Sequence, residues 1–481
     1  GEYDQSNYVE AYYAAVDPGN ARSTAQDYIA LHGLDNPDVH VIFRDSKDLG
    51  YGRDMYMRSY PNPSVCGGQV IAFYVRNFSV QIVEGFSYSP LNLEAAIEED
   101  LHHHIGTNAI EFGFGRADIG DPCSSEPIAK FYTYQPVYNP SNAAHPRRVR
   151  VDLDGRGEKA MPQPCITCHG GKLRPLDRFG RFVATHAEDQ VDPFPLIPGD
   201  VSEIGNTKAR LQAFEVDTFE FSDKPGYRRA DVEEKLRLLN VAVYCTYPGS
   251  QGHPACAVHG GGVAIQTKFD EWEGGFVRDT LLGWYSNTLQ TPGNLYDGSF
   301  VPTGWDPLEP PGRPQGTDTL FTKVVGPYCF VCHGKRGVRA SSDADFSTWE
   351  KFKSYVDDGT IERLVFDEGR MPLGLLNYQS FWGDTEKVEL LTSFIEPDEV
   401  NEPLKFQAFQ ARRRDSNSKL ISPGRIVARA GPDRVTLPNA PITLNAQASL
   451  FAENYSWTVL MSPPGSTTSI SDLSAMKIDF S

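Results

Sequence analysis

Hydrophobic and polar residues follow two different periods along this chain, and the changes of period divide it. Over residues 1–150 the apolar runs are extended in pattern. QVIAFYVRNFSVQIVEG from Gln69 and AKFYTYQPVYN from Ala129 are rich in aromatic and β-branched side chains and predict strands. One helical signal lies between them. Asn92 stands where an N-cap belongs, Glu94 suits a first turn, and Leu93, Ala96, Ile97, Leu101, His104 and Ile105 recur at helical spacing. This part is expected to be an α+β domain with a sheet and few helices.

Residues 151–314 open with a turn-rich stretch, VDLDGRGEKAMPQP, and hold one clear amphipathic helix at about 230–243, with Val232, Leu236, Leu239 and Val243 on one side. In residues 315–420 the helical period dominates. Thr317 caps a short helix bearing Leu320, Phe321, Val324 and Val325, which Gly326 and Pro327 are expected to end. Further helices are predicted at about 349–356, 361–366 and 385–395. Over residues 424–481 short alternating stretches separated by Pro, Asn, Gly and Ser turns, with Trp457 among them, predict part of a β-sandwich. The chain thus reads as multidomain: an α+β N-terminal region, a mainly α domain at 315–420, and a partial β-sandwich at the C-terminus.

Composition narrows the partners more than the fold. The 481 residues suffice for roughly three domains, and 40% hydrophobic residues is ordinary for a globular protein. A formal charge of -18, from 63 acidic and 45 basic residues, argues against nucleic acid and anionic membrane surfaces. No apolar run is long enough for a transmembrane helix.

The candidate chemistry sits in two short segments, Cys165-Ile166-Thr167-Cys168-His169 and Cys329-Phe330-Val331-Cys332-His333. Cys-X-X-Cys-His is the pattern for covalent attachment of a c-type haem. Two intervening residues let both sulfurs reach the two vinyl positions on one haem edge, and the next residue then falls under the iron. Cys165, Cys168, Cys329 and Cys332 are accordingly expected to anchor two covalently attached c-type haems, with His169 and His333 as proximal iron ligands. Paired zinc knuckles and a thioredoxin-like redox motif are the alternatives. Zinc needs further close-spaced ligands, and none stand near either segment.

Haem attachment of this kind takes place outside the cytoplasm. The protein is therefore expected to be periplasmic, extracellular or attached to the cell surface, with Gly1 at a mature or processed end. Four cysteines remain, and in an oxidising compartment an even remainder reads as two disulfides. Cys245 with Cys256 closes a short Pro/Gly-rich loop, which leaves Cys66 with Cys123; free buried thiols are the alternative.

Residues 315–396 resemble a class I cytochrome c domain, on the strength of the helix leading into Cys329, the Gly-Arg-Met-Pro context of Met371 and Pro372, and a closing amphipathic helix with Val388, Leu391, Phe394 and Ile395. The resemblance implies that the Met371 thioether is the sixth ligand of the second iron, opposite His333. The surroundings of the first segment do not match that domain, so its sixth ligand is sought elsewhere. His104, then His102 or His103, are the leading candidates, since three consecutive histidines on one helix place one on its buried side. His186 is the runner-up, with Met161 and His145 behind it.

The C-terminal stretch AGPDRVTLPN, with NYSWTV supplying a strand around Trp457, resembles the start of a polycystic-kidney-disease-type, immunoglobulin-like repeat. The chain stops before the last strands of such a sandwich, which implies further chain or a strand from a neighbour. Together these features resemble a dihaem c-type cytochrome, and they imply single-electron transfer between redox protein partners, with self-assembly at a surface or in a filament as a variant. A dihaem peroxidase-like enzyme with an open site on the first haem is the alternative.

Overall fold

The computed structural model describes residues 6–47, 49–62, 68–80, 91–114, 127–136, 145–151, 158–171, 173, 176, 205–264, 275–308, 313–334, 344–418, 442–446, 449, 452, 454–458 and 472–480. It is a mixed α/β chain in two compact units, one drawn from Gly1–Val80 and Phe86–Lys353, the other from Ser354–Ser481. That division falls inside the 315–420 segment expected to form one domain.

The first unit is built on β1 (Val39–Asp45), β2 (Gly52–Asn62), β3 (Gly68–Phe78), β4 (His104–Gly113) and β5 (Ile128–Tyr134), with β6 (Arg150–Val151) and β7 (Lys159–Ala160) as a separate small ribbon and β8 (Phe219–Glu220) beyond β1. The sheet is antiparallel in the order β5-β4-β3-β2-β1-β8. The strands at 69 and 129 are those the sequence predicts. The sixth strand comes from the 151–314 region, so that region contributes to the sheet of the N-terminal one.

Register sorts the side chains onto two faces. Met57 stands opposite Phe73, Phe73 opposite Ile110 and Ile110 opposite Phe131, giving one apolar row across four strands. On this face Phe214 meets Phe43 and Phe73, each with 6.5 Å between ring centroids. Helix α5 (Arg229–Tyr244) secures Phe214, because Asn240 accepts from its N–H at 2.8 Å and donates to its carbonyl at 2.9 Å. The predicted Val232, Leu236, Leu239 and Val243 are all buried there.

The other face carries helices α1 (Ser6–Val16), α2 (Ala25–His32) and α3 (Leu91–Ile97), together with a buried ionic network. Glu111 accepts from Lys130 at 2.9 Å and from Arg22 at 2.5 Å, with His32 Nε2 3.3 Å away. Asp17 pairs with Arg147 at 2.6 Å. The exposed edge of β5 is closed by tyrosines of α1: the Phe131 N–H donates to the Tyr12 hydroxyl at 3.0 Å, and the Tyr13 hydroxyl donates to the Phe131 carbonyl at 3.3 Å. Such pairing satisfies groups that would otherwise invite another strand.

Two helix expectations are corrected. α3 ends at Ile97, after which Glu99 takes a left-handed conformation and Asp100 caps a single turn, Leu101–His103. His104 then opens β4. Leu101 and Ile105 are 41% and 37% exposed, so they do not continue an apolar stripe. Asn92 is buried inside α3, bonded to Val80 and Gly50, rather than capping it. Nor do Gly326 and Pro327 stop their helix. Thr317–Leu320, Phe321–Phe330 and Val331–His333 follow one another as a helical run, wound more widely in the middle, which accommodates a proline that has no N–H to donate. With α4 (Gln163–His169) and α6 (Gly275–Gly283) before it, this run is α7.

In the second unit, helices span Glu362–Asp367, Leu375–Trp382, Thr385–Ile395 and Pro403–Arg413, the third with the bounds the sequence predicts. Arg413 ties the last helix to the first through Glu362 at 3.0 Å and through Asp367. Near the C-terminus β9 (Ile442–Asn445) pairs antiparallel with β10 (Lys477–Phe480), and Trp457 Nε1 donates to the Ala475 carbonyl at 2.7 Å. Within 424–481 the described residues form this two-stranded pair with turns and irregular chain beside it, and the other residues of the segment lie outside the described ones.

The network at Glu111 yields a stability test. Burial alone would raise its pKa, but Lys130 and Arg22 hold the carboxyl well below its ordinary 4.5. A lowered native pKa means its stabilisation is fully present above pH 4.5 and is lost as the pH falls through the native value. Glu111→Gln is expected to cost about 3–5 kcal/mol at neutral pH, since it strands buried cations. Urea titration should show that gap narrowing on acidification.

Candidate functional site

Each Cys-X-X-Cys-His segment is helical and ends its helix. Cys165, Cys168 and His169 lie on α4, which begins after Pro162 with Pro164 in its first turn, where a missing N–H costs nothing. Cys329, Cys332 and His333 close α7. Helical winding puts residues i and i+3 on one side, so both sulfurs of each pair face the same way. All four stand outside disulfides and are half-buried.

The histidines are fixed alike. His169 Nδ1 lies 2.9 Å from the Arg210 carbonyl, and His333 Nδ1 lies 2.8 Å from the Ala344 carbonyl. A carbonyl only accepts, so Nδ1 carries the proton and Nε2 carries the lone pair in the neutral ring. Each ring also rests on an aromatic neighbour. Phe131 of β5 is 5.1 Å from the His169 ring, and Phe346 stacks on His333 at 4.3 Å.

Backbone groups beside both acceptor carbonyls are secured. The Arg210 N–H donates back to the His169 carbonyl at 2.9 Å, and the Tyr247 hydroxyl donates to the neighbouring Leu211 carbonyl at 2.5 Å. At the second segment Trp305, fully buried, donates Nε1 to the Phe346 carbonyl at 3.0 Å. Gly171 makes the first arrangement possible. Its φ is +86°, and a Cβ there would sit 2.3 Å from the Thr207 carbonyl oxygen.

These residues could hold a covalently attached haem. Burial pushes the Cys165 and Cys329 thiols up to about 12, whereas a thioredoxin-like nucleophile needs a lowered value. Among the described residues no group of three or more His, Cys, Asp or Glu side chains is arranged to hold a metal ion. A thioether anchor needs no thiolate once formed. An imidazole with Nδ1 bonded to a carbonyl is oriented to present Nε2 to a metal.

The other predicted residues are scattered. His102 is exposed and His103 half-buried in the turn before β4. His104 is buried, bonded through Nε2 to the Thr107 hydroxyl at 3.1 Å and 5.5 Å from the Phe78 ring. Phe78 lies on the face carrying α3, whereas Phe131, against His169, lies on the apolar face opposite. Burial, then Arg76 and His145, push His104 down to about 4. It is a neutral core residue on the far side of the sheet. Met161 is buried beside the start of α4 and accepts from Thr133 at 3.8 Å. The His145 carbonyl accepts from the Ala25 N–H, and His186 lies outside the described residues. Met371 belongs to the second unit, half-buried, with its N–H bonded to the Leu364 carbonyl at 3.1 Å.

The Cys245–Cys256 disulfide is present, with Cα atoms 5.5 Å apart, and Cys66 and Cys123 lie outside the described residues. Arg210, Ala344, Phe131 and Phe346 carry no signal in the sequence. Gly171, two residues after the first segment, is the single hint that something packs against it. Comparison of the chain with protein family models, with curated proteins and with solved structures finds no match in any of the three.

Gly171→Ala should therefore disturb the His169 contact from outside the segment. The added Cβ must displace residues 207–210, at an expected cost of about 1–3 kcal/mol. Denaturant titration measures that cost, and the His169 Nδ1–H signal in NMR should exchange faster with solvent.

Proposed function

We propose that this chain is an exported dihaem c-type cytochrome that passes single electrons between redox protein partners. The observation that carries the reading is the matched pair of carbonyl bonds, His169 to Arg210 and His333 to Ala344, each on a Cys-X-X-Cys-His helix end. Cys165 and Cys168 would hold one haem, Cys329 and Cys332 the other. When bound, the haem supplies a reversible one-electron change at iron. The chain's residues do the rest: His169 and His333 ligate, the carbonyls orient them, and Phe131, Phe346 and the core around them keep water from the rings.

The Met371 thioether is proposed as the second iron's other ligand, which would favour the ferrous state and raise its potential. The first iron's other ligand is not assigned, since His104 faces away from His169. The Cys245–Cys256 bond supports an oxidising compartment and hence export. The β9–β10 pair is consistent with a C-terminal spacer or assembly module of sandwich type.

Expression with the haem-attachment machinery is expected to give two covalently bound haems per chain, counted by intact mass and by the alkaline pyridine spectrum. A chain that leaves the periplasm with free thiols would refute the assignment. Met371→Ala is expected to remove the thioether charge-transfer absorption and to lower one midpoint potential, leaving the other in place. Magnetic resonance separates the peroxidase-like alternative: a five-coordinate, high-spin first haem would favour it, and two low-spin haems favour the carrier.

A further inference from the structure

The two attachment segments are far apart in sequence, yet α4 packs against the closing turn of α7, with Cα atoms within 8 Å. Both helices lie in the first unit. The closing turn, Val331–His333, contains only three residues, and two of them, Cys332 and His333, are attachment residues. α4, Gln163–His169, contains three more. Contact between these elements is therefore contact between the attachment segments themselves. One core joins them: Phe330 is buried in the cluster against which Cys165 and Ile166 pack. From α6 and the residue after it, Phe276 and Trp284 hold the Phe330 ring, at 5.4 Å and 5.8 Å between centroids.

A haem bonded through both cysteines and ligated by the next residue cannot move independently of its segment. The placement of two such segments thus fixes the placement of two haems. We propose that α4 and the closing turn of α7 form one composite scaffold that holds both haems as an electronically interacting pair, so that the protein stores and delivers two electrons from a single centre. This inference rests on the dihaem reading above. With haems bound, this scaffold would take up two electrons, one at a time from a one-electron redox protein, and later return them, with no bond formed or broken. Because the charge gained at one iron acts on the other through an apolar core of low polarity, the second electron enters against the first.

The test uses the intact holoprotein and two single-haem variants, Cys165→Ser with Cys168→Ser, and Cys329→Ser with Cys332→Ser. Interacting haems give a two-signed circular dichroism band in the Soret region, which should collapse to a single sign in either variant. In redox titration each variant should follow a one-electron Nernst curve, and the intact protein a curve broader than their sum. The titration of the intact protein alone decides the matter if a variant fails to fold: oppositely shifted steps, seen as Soret dichroism that changes sign between half and full reduction, support the pair, and a dichroism that scales linearly with reduction overturns it. Two attached haems with additive dichroism would overturn this inference and leave the electron-carrier reading standing. Absence of covalent haem would overturn both.

Discussion

Both imidazoles are oriented by carbonyl groups supplied from elsewhere in the chain, and much of the first unit exists to hold those carbonyls still. A histidine at the end of a short helix rotates freely unless its second nitrogen is tied to something fixed. Arg210 and Ala344 lie in irregular segments, which by themselves are poor anchors. The first is clamped by Asn240 and Tyr247 and by the return bond from the Arg210 N–H to His169. The second is held by Trp305, whose ring packs among Phe321, Trp349 and Phe352. Replacing any of these groups acts on the site at one remove, through an acceptor that drifts.

The sheet divides the labour between its faces. The Phe73–Ile110–Phe131 side is apolar and receives His169, α5 and the 205–214 segment. The other side holds Glu111, Lys130, Arg22 and Asp17, whose charges are paired almost entirely out of solvent. Ion pairs there are weak sources of net stability but costly to break. They therefore act as a register lock: a one-residue slip of β4 against β5 would turn Glu111 away from Lys130 and onto the apolar side. Arg147 belongs to this lock through Asp17 and through its place 4.0 Å over the Tyr13 ring. It is thus committed to structure.

Local pattern was readable wherever local pattern decides the structure. The helix at Arg229–Tyr244 and that at Thr385–Ile395 have unbroken apolar spacing, and β3 and β5 have runs of β-branched and aromatic residues. α2 carries an equally local signal: Thr24 and Asp27 form a capping box, and Gly33 takes the left-handed position after the last turn. The three histidines show where the pattern misleads. Their helical spacing is real, but pairing of His104–Gly113 with β3 wins over local preference, and the chain leaves the helix at Glu99 to reach that register. Pro327 misled for a related reason, because a helix wound more widely tolerates what a regular α-helix does not.

No periodicity could reveal that the two Cys-X-X-Cys-His segments meet, since that depends on where the 205–214 segment, α6 and the sheet place α4 and α7. The consequence is electrostatic. What differs between them is local: a ring stacked on Phe346 in one, an edge of Phe131 and the Gly171 turn in the other, and a shared wall at Phe330. Groups that share a buried wall feel each other's charge more strongly than either feels the surface. In the proposed dihaem form, the order in which the two centres fill would therefore be governed by the contact between the helices as much as by the ligands of either iron.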